Sequence, residues 1–214
     1  MRLPVLIIGG GGHARVLIDM IRLRSTEILG IIDIDPGKTG NIVSGVKIIG
    51  DESVLAGYRP EELLLVNAVG SVHLPKVRTA IFDKFEAMGF CFATVVHPAS
   101  IVSSDAILGE GVQIMAGAVV QPGSNIGKDS IINTGALVDH DCSIGEHVHL
   151  APGVTLSGGV KVGNGVHIGT GASVIHGVNI GNRSVIAAGA VVIDDVESDS
   201  EVAGVPARRL FRRT

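Results

Sequence analysis

The stretch "TGALVDHDCSIGEHVHLAPG", residues 134–153, carries an aliphatic residue at every sixth position, at Val138, Ile144 and Leu150. The same period runs from Val96 to Val192 without an insertion, and from 106 to 190 the residue four positions after each aliphatic one is Ala, Ser, Cys or Val. A slower period of eighteen places a glycine at 109, 127, 145, 163 and 181. Three six-residue units therefore make one turn, and the pattern predicts a β-helix solenoid.

The six-residue period also sorts the polar residues of this stretch. Cys142 falls on a small inward position, so we expect a buried packing thiol and a poor nucleophile. His140 falls two residues after inward Val138 and His149 one residue before inward Leu150, so both should point outward or lie at a corner. His167 follows His149 by eighteen residues, so we expect the two to stack on neighbouring turns, about 4.8 Å apart along the axis.

The first half of the chain has a different pattern, in which short apolar runs alternate with helical spacing. Strands are predicted at Val5–Gly10, Ile28–Asp35 and Glu62–Gly70, and helices over 16–23 and 77–88. Strands that alternate with helices indicate a small parallel sheet of the nucleotide-binding type.

A glycine-rich loop, "IIGGGGHARVL", joins the first strand to the first helix. The N–H groups of Gly10, Gly11, Gly12 and His13 there would form an anion site at a helix N-terminus. The loop departs from the GxGxxG fingerprint, since Ala14 occupies the place of the third glycine. The alternative to an anion site is a tight strand-to-helix turn without a ligand.

Two acids end the second predicted strand. Asp33 and Asp35 stand where a carboxylate often binds a ribose or a base. About ninety residues leave no room for two mononucleotide-binding halves, so a single nucleotide diphosphate fits better than a dinucleotide.

Composition narrows the class of protein. The chain has 214 residues, a formal net charge of −4, 3% aromatic residues and no Trp, so we expect an aliphatic core and no nucleic-acid or anionic-membrane partner. The basic run Arg208, Arg209, Arg212 and Arg213 is a solvated tail or a source of a few phosphate contacts. Two distant cysteines make no disulfide framework, and the N-terminal apolar run is too short for a signal or membrane segment. We expect a cytoplasmic protein.

Three motifs carry a resemblance to a known family. "GGGGH", "NTGALVDHDCSIGEHVHLAPG" and "GVPAR" (Gly204 to Arg208) are similar to the hexapeptide-repeat sugar acetyltransferases, which include the bacillosamine, perosamine and sialic acid acetylating enzymes. The resemblance implies a Rossmann-like nucleotide-sugar-binding domain over 1–93, a left-handed β-helix that binds acetyl-CoA over 94–198, and a tail over 199–214. It also implies a homotrimer with CoA in the groove between two β-helices.

The resemblance extends to individual residues. His140 aligns with the catalytic base, followed by Asp141 where the family more often has a longer Glu, so the pairing geometry is open. Asn133 would lie near the acceptor sugar, although an asparagine ladder or turn is an alternative, and Gly158 would bind the thioester carbonyl. The residues assigned to acetyl-CoA are His149, Gly158, His167, Gly204, Pro206, Ala207 and Arg208.

These features together predict an N-acetyltransferase that moves acetyl from acetyl-CoA directly to the amine of a nucleotide-diphosphate amino sugar, with a His general base. O-acetylation of a sialic acid is the enzymatic alternative. A zinc site like that of the gamma-class carbonic anhydrases, built from His140, His147 and His149, and a non-enzymatic solenoid are less favoured. The sequence predicts no metal, and it suggests that His73, His97 and His176 are solvated surface residues.

Overall fold

The computed structural model describes residues 3–71 and 74–210, so His73, Arg212 and Arg213 lie outside the described residues. The chain divides into two compact units, residues 1–70 with 77–98 and residues 71–76 with 99–214. Within the described ranges, no helix is both long and apolar enough to cross a bilayer.

The first unit is built on a five-stranded sheet of order β3-β4-β2-β1-β5. Its strands are β1 (Val5–Ile8), β2 (Ile28–Ile32), β3 (Ile42–Val43), β4 (Val46–Gly50) and β5 (Leu64–Asn67). The predicted parallel sheet is confirmed for the pairs β1–β2, β1–β5 and β2–β4. It is wrong at the edge, where β3 runs antiparallel to β4 across a two-residue turn, Ser44–Gly45, with φ of 46° and 77°. That turn geometry is the one that suits tight hairpins.

Two helices accompany this sheet, α1 (Gly12–Arg22) and α2 (Lys76–Ala87). Helix α1 forms because its buried residues recur at helical spacing, at Ala14, Leu17, Ile18, Met20 and Ile21. The expected aliphatic core of this unit also contains aromatic residues. Four of the five phenylalanines are buried in its main cluster, namely Phe82, Phe85, Phe90 and Phe92.

The first unit also contains β6 (Val95–Val96). The second unit is the solenoid, a left-handed parallel β-helix with three faces. Its first sheet contains β7 (Ile101–Val102), β10 (Val119–Val120), β13 (Leu137–Val138), β16 (Thr155–Leu156), β19 (Ser173–Val174) and β22 (Val191–Val192). Its second sheet contains β8 (Ile107–Leu108), β11 (Asn125–Ile126), β14 (Ser143–Ile144), β17 (Lys161–Val162) and β20 (Asn179–Ile180). Its third sheet includes β9 (Gln113–Ile114), β12 (Ile131–Ile132), β15 (His149–Leu150), β18 (His167–Ile168), β21 (Val185–Ile186), β23 (Glu201–Ala203) and β24 (Arg208–Arg209).

The six-residue period is confirmed as the packing rule of the solenoid. Every aliphatic position from Ile114 to Val192 is buried, and Val102 and Leu108 in the first turn are half-buried. The eighteen-residue glycines follow from close stacking of successive turns. A Cβ on Gly109 would lie 2.8 Å from Lys128 N, and one on Gly127 would lie 2.5 Å from the carbonyl carbon of Gly145.

One corner of the solenoid positions the candidate site. Its turns place Gly123, Asp141, Gly159 and Gly177 above one another at eighteen-residue spacing, all with positive φ, and we call this column the Asp141 corner. Asp141 has φ of 58°, a left-handed conformation that is uncommon outside glycine and that Asp tolerates better than most residues.

Candidate active site

The imidazole of His140 is held by the residue that follows it. Nδ1 of His140 lies 2.8 Å from Oδ2 of Asp141, and the left-handed backbone of Asp141 turns its carboxylate back toward the ring. The backbone N–H of His140 donates to Oδ1 of the preceding residue, Asp139, at 2.7 Å, which further stabilises this turn. A carboxylate on Nδ1 selects the tautomer in which Nε2 carries the lone pair, so Nε2 is the nitrogen that can accept a proton.

Electrostatics at this corner favour the imidazolium. The hydrogen bond that the Asp141 carboxylate accepts from His140 raises the pKa of His140, desolvation opposes the shift, and the charges of Asp139 and Asp141 raise the pKa further. The ring is about half exposed, with 55% of its side-chain surface accessible in the single chain. The arrangement therefore provides a solvent-reachable base whose conjugate acid is stabilised by carboxylates.

Gly158 lies directly beneath the His140 ring, one turn further along the solenoid. A Cβ at this position would come within 2.5 Å of Nε2 of His140, so only glycine leaves room for the imidazole. Gly158 is buried, and within residues 3–71 and 74–210 its N–H makes no hydrogen bond. A buried N–H beside the reactive nitrogen of a base is the kind of donor that stabilises an oxyanion.

His149 is on the third sheet and points outward as expected, but it is buried, with only 8% of its surface accessible. Nδ2 of Asn133 lies 3.1 Å from Nε2 of His149, and Oδ1 of Asn133 accepts the N–H of Thr134 at 2.8 Å, which fixes the amide orientation. The backbone carbonyl of Ser71 lies 3.0 Å from Nδ1 of His149 and can only accept. These contacts are satisfied together by a neutral imidazole with its proton on Nδ1.

The remaining residues assigned to acetyl-CoA are spread along the later turns. His149 and His167 pair across neighbouring strands, with ring centroids 5.0 Å apart in an edge-to-face arrangement, which confirms their predicted stacking. In the tail, Gly204 and Pro206 are exposed, and the N–H of Ala207 donates to the carbonyl of Val191 at 2.7 Å.

The guanidinium of Arg208 is exposed beside the last turn. Its Nη1 donates to Oδ2 of Asp194 at 3.3 Å and to the carbonyl of Ala207 at 2.9 Å. This Arg208 remains accessible to an anion because 64% of its side chain is exposed.

In the first unit, the glycine loop has a packed part, Gly9 and Gly10, and a solvent-exposed part, Gly11 and Gly12. The N–H of Gly10 donates to Oδ2 of Asp33 at 2.8 Å, and a Cβ on Gly9 or Gly10 would meet side-chain atoms of this unit within 3 Å. Gly11 and Gly12 are exposed, and nothing lies within 4 Å of a Cβ built on either. Packing within the chain therefore explains Gly9 and Gly10, whereas Gly11 and Gly12 leave open space above the N-terminus of α1.

Asp33 is buried and already has partners in the first unit. Its carboxylate accepts the N–H groups of Gly10 and Asp35 and pairs with Nζ of Lys38 at 3.1 Å. Burial raises the pKa of Asp33, but these N–H groups and the Lys38 ammonium outweigh it and hold the pKa below its usual value. Asp35 caps the short 3₁₀ turn that follows by accepting the N–H of Gly37 at 3.0 Å. Half-exposed His13 and exposed Asp35 thus have side chains that reach solvent near this loop.

The three histidines of the zinc hypothesis do not converge. His140 is paired with Asp141, His147 lies 3.1 Å from the buried carboxylate of Asp129, and His149 contacts Asn133. In the part of the chain that the structure describes, no three His, Cys, Asp or Glu side chains form a group that could hold a metal ion.

Sequence analysis missed three contacts of the candidate residues, two in the second unit and one in the first. Gly123 leaves the space that the Asp141 carboxylate fills, Ser71 contacts His149 from a position 78 residues earlier, and Lys38 neutralises Asp33. Only Gly123 had a usable signal, because Gly123, Gly159 and Gly177 share the spacing of Asp141.

Comparison with known proteins shows the family of the chain. The PglD N-terminal domain matches residues 4–85, and the bacterial transferase hexapeptide (six repeats) matches residues 105–140, 123–158 and 159–194. PerB from Caulobacter crescentus, solved in complex with CoA and GDP-perosamine, is 41% identical, with 97% of each chain covered and a TM-score of 0.90. The chain belongs to the hexapeptide-repeat sugar N-acetyltransferase family.

Two further relatives support this membership. The acetyltransferase domain of PglB from Neisseria gonorrhoeae, solved in complex with acetyl coenzyme A, is 35% identical over 98% of this chain and 100% of that one, with a TM-score of 0.90. UDP-N-acetylbacillosamine N-acetyltransferase from Bacillus subtilis is 41% identical over 118 residues, which span 52% of this chain. That match covers about half the length of the curated relative, 51%.

Proposed function

We propose that this protein transfers acetyl from acetyl-CoA to the amine of a nucleotide-diphosphate amino sugar of the 4-amino-4,6-dideoxy type. The observation that carries the proposal is the corner where the His140 ring, held by Asp141, lies against the buried residue Gly158, whose N–H makes no hydrogen bond within the described residues. A proton acceptor and a backbone donor then lie close together, as acyl transfer requires. PerB of C. crescentus was solved with CoA and GDP-perosamine, which favours this substrate class.

In the proposed reaction, transfer is direct. The amine nitrogen attacks the thioester carbon, the new C–N bond forms, and Nε2 of His140 takes the proton that the nitrogen loses. The N–H of Gly158 stabilises the negative charge on the carbonyl oxygen, and the C–S bond then breaks to release CoA. Asp141 stabilises the imidazolium during the step. Cys142 is excluded as a covalent nucleophile because it is buried and desolvation raises the pKa of its thiol.

We assign the nucleotide sugar to the glycine loop of residues 1–93. The open space at Gly11 and Gly12 and the N-terminus of α1 suit a diphosphate, and His13 and Asp35 are available to the sugar or base. Asp33 would not contact the nucleotide sugar itself; its carboxylate accepts the N–H of Gly10 and so holds the glycine loop in place. Asn133 would orient the acceptor sugar.

Acetyl-CoA would lie along the solenoid domain, residues 94–198, and the tail. His149 and His167 would line its path, Gly204, Pro206 and Ala207 would shape the distal end, and Arg208 would offer charge to a phosphate.

A homotrimer with active sites between subunits is part of the proposal. The first sheet presents a column of apolar side chains at its outward positions, Ile101, Val119 and Leu137, which pair on neighbouring strands. Ile101 and Leu137 are 68% and 41% exposed in the single chain. Burying such a column against a second copy is favourable at about 25 cal/mol per Å² of apolar surface. A cytoplasmic location agrees with the free thiols of Cys91 and Cys142.

The deciding experiment is an acetyl-transfer assay. The purified protein is incubated with acetyl-CoA and a panel of UDP-, GDP- and dTDP-linked 4-amino sugars, and free thiol release is followed. Turnover with one or more amino sugars and none with sialic acid is expected. Turnover with sialic acid alone would replace the proposal by O-acetylation, and no thiol release with any acceptor would leave a non-enzymatic solenoid.

A further inference from the structure

A second histidine occupies the same corner turn as His140, two turns further along the solenoid. His140, Gly158 and His176 follow one another at eighteen-residue spacing, each directly before the positive-φ residue of its turn. The His140 and His176 rings have centroids 6.4 Å apart and are inclined at 44°. His176 is exposed. The interpretation of His176 as a solvated surface residue leaves this proximity unexplained.

The gap between the two rings is set by Gly158. With no side chain at that position, Nε2 of His140 lies over the Gly158 backbone and faces the next turn. On the far side, Cε1 of His176 lies 3.6 Å from the point where a Cβ on Gly159 would be, so His176 also leans over the glycine pair. Both imidazoles therefore border the same small space above Gly158 and Gly159.

This space is where the proposed function puts the tetrahedral carbon, and the inference rests on that function. The carbon has three polar neighbours: the attacking nitrogen, the oxygen and the sulfur of CoA. The nitrogen must lie near Nε2 of His140 and the oxygen near the N–H of Gly158. The sulfur then leaves on the side away from His140, which is the side of His176.

We propose that His176 is a catalytic residue that donates a proton to the departing sulfur. Nε2 of His140 takes one proton from the nitrogen as the C–N bond forms. As the C–S bond breaks, its electron pair goes to sulfur. A water passes the proton from the imidazolium of His140 to His176, and His176 delivers a proton to the sulfur, so both imidazoles are neutral again when CoA leaves. The net change is one proton moved from nitrogen to sulfur, and no other reactant is needed.

Neighbouring groups do not offer the same chemistry. Asp139 and Asp141 engage the backbone N–H and Nδ1 of His140 through their carboxylates. Sγ of Cys142 is buried and contacts the carbonyl of Ser157 at 3.3 Å. An exposed imidazole is the side chain suited to proton donation near neutral pH.

The test compares the whole protein with His176→Ala and His176→Gln in the amino-sugar assay. If His176 protonates the sulfur, both variants lower kcat by about 10²-fold while KM for acetyl-CoA changes little. Glutamine can still donate a hydrogen bond but cannot transfer a proton, so it should not restore kcat. Restored kcat in His176→Gln, or a raised KM with unchanged kcat in His176→Ala, would overturn the assignment in favour of a binding role.

Arg183→Ala is the matched control. Arg183 lies in the same turn at a different corner, where it makes an exposed ion pair with Asp199 at 2.7 Å, so we expect its kcat to match the wild type. Thermal unfolding of each variant checks that the solenoid is intact. An active wild type with unchanged kcat in His176→Ala overturns only the role of His176. A wild type without turnover on any amino sugar overturns the proposed function and this role together.

Discussion

The carboxylate of Asp141 occupies the space that Gly123 leaves open one turn earlier. A Cβ on Gly123 would lie 2.5 Å from Oδ1 of Asp141, while Oδ2 of the same carboxylate lies 2.8 Å from Nδ1 of His140. The short side chain of Asp reaches the imidazole because its backbone is left-handed and because the preceding turn has no side chain at Gly123. The pairing is thus a property of three residues.

We expect Gly123→Ala to separate Asp141 from His140. The new methyl would displace the carboxylate, since the backbone nitrogen of Asp141 lies only 3.5 Å from it and leaves the methyl little room to move. The expected result is a fall in kcat of about tenfold or more, as for loss of part of a general-base unit. The acidic limb of the kcat–pH profile would move to lower pH, as expected when Asp141 no longer raises the pKa of His140. Steady-state kinetics over pH measures both effects.

Gly165→Ala separates this effect from backbone strain. Gly165 has φ of 67°, close to the 73° of Gly123, but its Cβ would make only an ordinary contact, 3.6 Å from Cγ of Arg183. Both variants should lose stability similarly, by about 1–2 kcal/mol, and only Gly123→Ala should lose activity. Equal kcat in the two variants would mean that the Asp141 carboxylate does not need its present position.

Asp141→Asn tests the electrostatic role of the carboxylate through pH. Asp141 raises the pKa of His140, and His140 must be neutral to accept a proton. Removing the charge lowers this pKa, so the acidic limb of the kcat–pH profile moves to lower pH. The weaker base also lowers the plateau rate, by about tenfold. An acidic limb at the wild-type position would show that His140 is not the titrating base.

The solenoid could be predicted from the sequence because each turn of a β-helix repeats the same local pattern of residues. Every turn demands an aliphatic residue, a small residue and, once per eighteen, a glycine where backbones approach, so Val138 and Gly127 could be placed without any tertiary information. The first unit has no such repetition. Its hairpin depends on the single Ser44–Gly45 turn, and its phenylalanines come together from α2 and the segment after it.

For the site residues, the sequence predicted the residue types and their spacing but not their contacts. The side chain of His149 is held by Ser71 and Asn133, which are 78 and 16 residues away in the chain, and no local sequence pattern predicts such contacts. Likewise, Asp33 stands where a nucleotide-binding acid was expected, but its partners are Gly10 and Lys38. Spacing predicts which face a side chain takes, whereas its partners are decided by folding.

Gly12→Ala tests the glycine loop as the nucleotide-sugar site. Alanine at the first position of α1 meets nothing within 4 Å, and it suits a helix better than glycine, so the melting temperature should be unchanged or slightly raised. The methyl would stand in the space assigned to the diphosphate. We expect KM for the nucleotide sugar to rise about tenfold, with KM for acetyl-CoA unchanged.

Gly57→Ala is the control for this variant. Gly57 is also exposed in the first unit, and nothing lies within 4 Å of its Cβ position, but it belongs to a different turn. It should leave both KM values at the wild-type level. If Gly12→Ala also leaves KM for the nucleotide sugar unchanged, the diphosphate does not bind over the N-terminus of α1.

Leu137→Glu tests the proposed trimer. Leu137 lies in the middle of the first sheet, opposite Val119 on one side and Thr155 on the other. A carboxylate there would have to be buried without a partner if this sheet packs against a second copy, which costs several kcal/mol. We expect sedimentation to give a monomer, and thiol release to be lost because each site needs two chains. Ser143→Glu, on the exposed outward face of the second sheet, adds the same charge and should leave a trimer with wild-type turnover. A trimeric, active Leu137→Glu would move the interface to another face of the solenoid.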